Sequence, residues 1–115
     1  EGVVKRGMSL EHFAAATSTN AAKLLGMYPQ KGAISVGSDA DIAIIDPTVK
    51  KALSMSDLHL RDYSPWEGWE VEGWPTTVML RGNTMVDNGQ LVGGPDAGKL
   101  IHRKITPAVL QRPAF

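Results

Sequence analysis

At 115 residues the chain has room for one domain of ordinary size, and 43% hydrophobic against 21% charged residues excludes an intrinsically disordered chain. Twelve basic residues balance twelve acidic ones, so there is no electrostatic footprint for nucleic acid or an anionic membrane. There is no cysteine, which removes disulfides, thiolate metal sites and thiol nucleophiles together; this fits a reducing compartment, and the cytoplasm is the expected location.

No apolar run approaches the roughly 20 residues of a membrane helix. Glu1-Gly-Val-Val-Lys5 lacks the apolar core of a signal peptide, and the start without Met suggests a piece of something longer. Twelve glycines and seven prolines exceed the usual combined share of about 12%, so many turns are expected.

Residues 9 to 26 carry a helical pattern. Ser9 is a candidate N-cap, with Glu11 in the first turn. Leu10, Phe13, Ala14 and Thr17 follow i, i+3, i+4, i+7 spacing. Thr17-Ser-Thr-Asn20 interrupts that pattern, because these side chains compete for backbone groups. A second short helix is therefore expected, capped at Thr19 or Asn20, with Ala21, Leu24 and Leu25 as its apolar face. Gly26 should end it in a left-handed conformation.

Ala33–Val36 alternates and predicts a short strand, followed by a turn at Gly37-Ser-Asp39. Ile42–Ile45 is a continuous apolar run that suits a strand covered on both faces, and Pro47 should end it. Residues 54 to 75 read as irregular and hold Trp66, Trp69 and Trp74. Thr76–Leu80 predicts a strand, Arg81-Gly-Asn83 a tight turn and Thr84–Asp87 a returning strand. Asn88-Gly89 is the strongest short hairpin signal, leading into Gln90–Val92. Gly93-Gly-Pro95 breaks order again, and the tail from Lys104 to Phe115 has no clear period. Two short helices followed by a small sheet cannot bury their own faces, so the pattern reads as part of a larger fold.

Chemistry-bearing residues are sparse. His12, His59 and His102 show neither His-x-His nor HExxH spacing, so surface or capping roles are favoured over metal ligation. Asp39, Asp41 and Asp46 fail the calcium-loop spacing and read as a polar turn before a buried strand. There is no G-x-S-x-G, G-x-G-x-x-G or P-loop pattern. Three large tryptophans near Pro65, Gly68, Gly73 and Pro75 point to packing or an interface before a substrate wall.

One long segment carries a resemblance. Lys31-Gly-Ala-Ile-Ser-Val-Gly-Ser-Asp-Ala-Asp-Ile-Ala-Ile-Ile-Asp-Pro47 resembles the K-G-x-I-x-x-G-x-D-A-D-hydrophobic-D-P pattern of the amidohydrolase superfamily. Ser18-Thr-Asn-Ala-Ala-Lys-Leu-Leu-Gly26 is similar to its S-x-N-P-A-K-x-x-G helix, with Ala21 where the family usually has proline. Asp62-Tyr-Ser-Pro-Trp-Glu-Gly68 resembles the Y-x-x-[YFW]-E-G motif of the hydantoinase, dihydropyrimidinase and allantoinase branch. Val78-Met-Leu-Arg-Gly82, Val86, Gly89 and Gly98-Lys-Leu-Ile-His-Arg103 continue the match, so it runs from about Gly7 to Arg103.

The resemblance implies a mixed α+β segment: the last helices of a (β/α)8 TIM barrel, then C-terminal strands of a composite β-sandwich built from both chain ends. Residues 1–27 would be the terminal barrel helices, 28–93 the returning sandwich strands and 94–115 a tail making a subunit contact. It implies a parent enzyme that opens hydantoin or dihydropyrimidine rings to N-carbamoyl amino acids. Two divalent metals, usually zinc, would be bridged there by a carboxylated lysine, and a barrel aspartate would shuttle protons. The family's ligands all precede the matching segment; Lys5, Lys23 and Lys31 do not match the bridging lysine. No catalytic, cofactor-binding or metal residue is therefore expected among these 115. Expected partners are the remainder of the barrel, further copies in a homotetramer and a small cyclic amide. Two other readings stand beside this one. A non-catalytic dihydropyrimidinase-related binding protein, or an allantoinase or dihydroorotase relative, would share the pattern, and an independent β-module could bind a partner through its tryptophan loop.

Overall fold

The computed structural model describes residues 1–58, 62–105 and 107–111. Helices come first: α1 (Gly2–Arg6), α2 (Leu10–Ala14) and α3 (Asn20–Leu24), with a wider π-helical turn at Ala15–Thr19 between the last two. Ser9 caps α2 as expected, its Oγ accepting from the His12 N–H at 3.1 Å. The expected break before a second helix does not occur. Thr19 and Asn20 both have right-handed helical dihedrals, and neither caps α3. The polar side chains find partners that do not require a break. The Thr17 hydroxyl donates to the Phe13 carbonyl one turn back at 2.7 Å, and the Thr19 hydroxyl donates to Gly32 O at 2.8 Å. The crowding is absorbed by widening the turn.

Gly26 ends the helix as predicted, with φ +69°. Its N–H bonds to Lys23 O at 3.1 Å and that of Met27 to Ala22 O at 2.9 Å, the paired bonds of a Schellman stop. Glycine is required there for a second reason. A Cβ would lie 2.6 Å from the backbone of Lys104 and Ile105, and the Lys104 N–H donates to Gly26 O at 2.8 Å. The tail is thus laid across the helix end.

Ala33–Val36 is not a strand: the segment bends and pairs with no described strand, and Ile34 and Val36 stand out in solvent. The sheet is an antiparallel meander in the order β1 (Ile42–Ala52), β2 (Glu70–Leu80), β3 (Asn83–Asp87), β4 (Gln90–Leu91). Two boundaries differ from the expectation. β1 runs on past Pro47, and β2 starts at Glu70, taking in Trp74 and Pro75. Both prolines sit where the ladder is irregular. The register shifts between Ile44 and Ile45, where Pro75 faces Ile45, and again between Asp46 and Lys50, around Pro47. A missing N–H is tolerated at such bulges. Asp46 supports the second one, its Oδ1 accepting from the N–H and hydroxyl of Thr48 at 2.8 and 2.6 Å. Two-residue turns close the rest. Arg81-Gly82 (φ 49° and 81°) joins β2 to β3, and Asn88-Gly89 (φ 46° and 75°) joins β3 to β4, both with the positive φ pair of a primed hairpin turn. A short helix, α4 (Pro107–Gln111), opens on a proline in the tail where no period was expected.

Among the described residues, Ala22 alone is a buried apolar side chain. Ile44 and Ile45, expected to be covered on both faces, are 50% and 45% exposed. The chain exposes 9004 Å², against roughly 6,100 Å² for a folded monomer of its 12.4 kDa. Its radius of gyration is 16.1 Å, where a compact domain of this length has about 13 Å. Helices and sheet form a frame that does not close over a core of its own.

Candidate functional site

The most enclosed polar cluster is built on Lys31. Its ammonium lies 2.9 Å from Asp39 Oδ2 and bonds to Asp41 Oδ2, and its side chain is 14% exposed. The Asp39 carboxylate also accepts from Gln30 Nε2 at 3.1 Å, while the Asp39 N–H donates to Gln30 O at 2.9 Å. Asp41 reaches across to the sheet: its Oδ1 accepts the Arg81 N–H at 2.8 Å, and the Gly82 N–H donates to Ala40 O at 3.0 Å. The Arg81 guanidinium in turn donates to the Ala97 carbonyl. The K-G…D-A-D segment therefore clasps three pieces of chain: the loop after α3, the β2–β3 turn and the short 3-10 turn at Pro95–Ala97.

The protonation states follow. Burial works against the Lys31 charge, but the hydrogen bonds and charges of Asp41 and Asp39 outweigh it and raise its pKa. Burial likewise pushes Asp41 up; the Lys31 hydrogen bond, the Arg81 N–H and the Lys31 charge outweigh that and hold it below the usual carboxylate range. Asp39 is lowered chiefly by its Lys31 hydrogen bond. All three stay charged at neutral pH, so the cluster is a paired cation with two carboxylates.

A second cluster, missed in the sequence, ties the 53–69 loop to the sheet. Lys51 bonds to Asp57 and lies 4.4 Å from the centre of the Trp74 ring. Asp57 Oδ2 accepts from the Ser54 N–H and hydroxyl at 3.0 and 2.8 Å. Its pKa is lowered first by the Lys51 hydrogen bond and then by that of Ser54. Ser54-x-x-Asp57 is a local turn pattern that the sequence displays, with both bonds running from Ser54 to the Asp57 carboxylate; its pairing with Lys51 is tertiary. The Leu53 N–H donates to Trp69 O and the Gly68 N–H to Leu53 O, both at 2.8 Å. The three tryptophans do not share one loop. Trp74 is half-buried on β2, while Trp66 and Trp69 are 49% and 51% exposed at the turn before it.

Between the helices and the sheet lies an open trough. One part, about 620 Å³, is walled by Val3, Leu10, Ile45, Pro47 and Val71; a second, also about 620 Å³, by Thr17, Gly32, Ile34 and Ile42. Phe13 and Ile45 border both, so the two are continuous.

Residues 2–85 match the family model described as "Amidohydrolase family". The chain belongs to the amidohydrolase family. It is 45% identical over 105 residues to the D-hydantoinase of Ralstonia pickettii, covering 90% of this chain and 23% of that protein. It is 44% identical over 104 residues to the D-hydantoinase of Geobacillus stearothermophilus, covering 90% and 22%. The crystal structure of dihydropyrimidinase from Brevibacillus agri superposes with a TM-score of 0.84 at 48% identity, covering 89% of this chain and 22% of that one. These relatives put the amidohydrolase chain in the hydantoinase and dihydropyrimidinase branch, and it spans less than a quarter of their length.

Among the described residues of this amidohydrolase, no three His, Asp or Glu side chains converge as metal ligands. His12 is exposed in α2, and His102 is exposed near the tail; His59 lies outside the described residues. Asp39 and Asp41 serve the clasp and Asp46 the β1 bulge. Lys5 pairs with Glu1 at 2.7 Å, and Lys23 lies 5.3 Å from the Tyr28 ring. No described helix is long and apolar enough to cross a membrane.

Proposed function

We propose that this chain is the C-terminal portion of a metal-dependent cyclic-amide hydrolase that opens hydantoin or dihydropyrimidine rings to N-carbamoyl amino acids. The observation that carries the reading is 45% identity to a D-hydantoinase along 90% of the chain, with the fold superposing at a TM-score of 0.84 on a dihydropyrimidinase. The role of the segment is architectural. Its helices are the last of a TIM barrel and its meander supplies strands to a β-sandwich, with residues 1–27, 28–93 and 94–115 as barrel, sandwich and tail. The open trough along Phe13 and Ile45 and the unfilled core are the faces that the rest of the barrel would cover. Further copies would complete a tetramer in the cytoplasm.

The described residues do not fit a two-metal centre, since no ligand cluster is among them. No catalytic step is assigned to them. The metal pair and its bridging lysine belong to the preceding barrel on this reading.

The test is a ring-opening assay on the full-length protein with hydantoin and dihydrouracil, following N-carbamoyl product, before and after chelation and zinc restoration. Turnover that chelation abolishes and zinc restores supports the reading. A correctly folded, zinc-loaded protein that opens neither ring would sink it and favour an allantoinase or dihydroorotase relative, and a folded protein that takes up no zinc would favour a non-catalytic binding protein.

A further inference from the structure

We propose that Asn88–Gly89 is a latent site of spontaneous deamidation, held closed by the hydrogen bond from the Gly89 N–H to the Thr76 carbonyl. Asn88–Gly89 is the one Asn-Gly pair in the sequence. Asn20 is followed by Ala21 within a helix, and Asn83 by the β-branched Thr84, whose side chain obstructs its own amide. The Asn88-Gly89 turn is exposed, and a Cβ built on Gly89 would meet nothing within 4 Å, so solvent reaches the pair from outside.

The chemistry needs only water. The Gly89 amide nitrogen gives up its proton to solvent and attacks the Asn88 side-chain carbonyl carbon. A carbon–nitrogen bond forms, ammonia leaves with the returned proton, and a five-membered imide results. Water then opens either imide carbonyl, giving aspartate or isoaspartate. One water is consumed and one ammonia released, with no change of oxidation state.

In the folded chain the attacking nitrogen is engaged. Its N–H donates to Thr76 O on β2 at 3.0 Å. The pair is also held with both φ values positive by the Asp87–Gln90 pairing and by the Val92 N–H bond to Met85 O at 2.9 Å. Attack must wait for the hairpin to open. One of the two products then hinders its closing. Only isoaspartate does so, because it adds a backbone carbon to a two-residue turn, whereas Asp-Gly still suits that turn; either product sets a new carboxylate next to Asp87, taking the formal net charge from zero to −1. The hairpin thus keeps a one-way record of its own opening.

The experiment stores the purified full-length protein at mildly alkaline pH, native or in guanidinium chloride, and digests it briefly with trypsin. Cleavage after Arg81 and Lys99 releases Gly82–Lys99, in which Asn83 is an internal control. Tandem mass spectrometry should find acid at Asn88 accumulating at least about fivefold faster in denaturant, the factor expected when attack waits on one hydrogen bond of ordinary net strength. Asn83 should stay an amide. Val92→Pro, which removes one of the two N–H bonds to Met85 O (that of Gly93 remains) and leaves the turn residues alone, should accelerate native conversion. Equal rates in folded and unfolded protein would overturn the gating, and no conversion in denaturant would overturn the site.

Discussion

Replacing Lys31 by methionine keeps the aliphatic stem and removes the charge at the centre of the clasp. Asp39 and Asp41 would then face each other without a cation, and Asp41 would hold Arg81 by the backbone bond alone. A hydrogen bond between charged partners is worth about 1.5–3 kcal/mol when dry. Here Asp41 is 30% exposed, so solvent screening reduces the Lys31–Asp41 contact to about 1–2 kcal/mol. That corresponds to a factor of about 5–30 in a local opening equilibrium. Hydrogen exchange of the full-length protein reads it directly. The Arg81 and Gly82 amides, which donate to Asp41 Oδ1 and Ala40 O, should exchange faster by that factor in Lys31→Met. The Lys104 amide on Gly26 should not change, and Lys31→Arg should restore part of the protection. The sign of the pH dependence is also set. Asp39 and Asp41 have lowered pKa values, so their contribution is present above about pH 4 and lost as pH falls through the folded values. Lys31 is raised, so its contribution is complete below about pH 10 and lost as pH rises through its folded value. Lys31→Met should make the acid limb shallower and flatten the alkaline one. Unaltered exchange at Arg81 and Gly82 in a folded Lys31→Met protein would refute the clasp.

Other substitutions test the remaining joints. Gly26→Ala forces a side chain into a left-handed conformation and into the backbone of Lys104 and Ile105, and should destabilise by about 1–3 kcal/mol; a lower denaturation midpoint and faster tryptic cutting at Lys104 would be seen. Thr19→Val keeps the helix shape but removes the donor to Gly32 O, a loss of about 1 kcal/mol. A denaturant titration checks it, and an unchanged midpoint would mean that the bond contributes nothing. Lys51→Ala removes the cation beside Trp74, costing about 0.5–1 kcal/mol, and should shift the tryptophan emission while Ser54 and Asp57 stay paired.

What the sequence by itself determined is local or inherited. Ser9 caps a helix because its oxygen meets an amide three residues on. Gly26 stops one because it alone turns left-handed at no steric cost, and Asn88-Gly89 turns a hairpin for the same reason. The K-G…D-A-D…D-P and W-E-G segments carried the family. The tertiary structure decided whatever depends on a distant partner. Lys31 finds its carboxylates within ten residues, but Asp41 anchors Arg81 forty positions away, and no spacing rule announces that. Pro47 reads as a strand end and Pro75 as the close of an irregular stretch, yet the strands pass through both because irregularities in the ladder fall where the N–H is missing. Thr17 and Thr19 read as a helix break, yet their hydroxyls are satisfied by Phe13 and Gly32, so the turn widens and the helix continues. Ile34 and Val36 read as part of a short strand, and Ile44 and Ile45 as a run covered on both faces. All four stay exposed because burial is a property of what packs against a face; Ile34 and Ile45 border the open trough between helices and sheet.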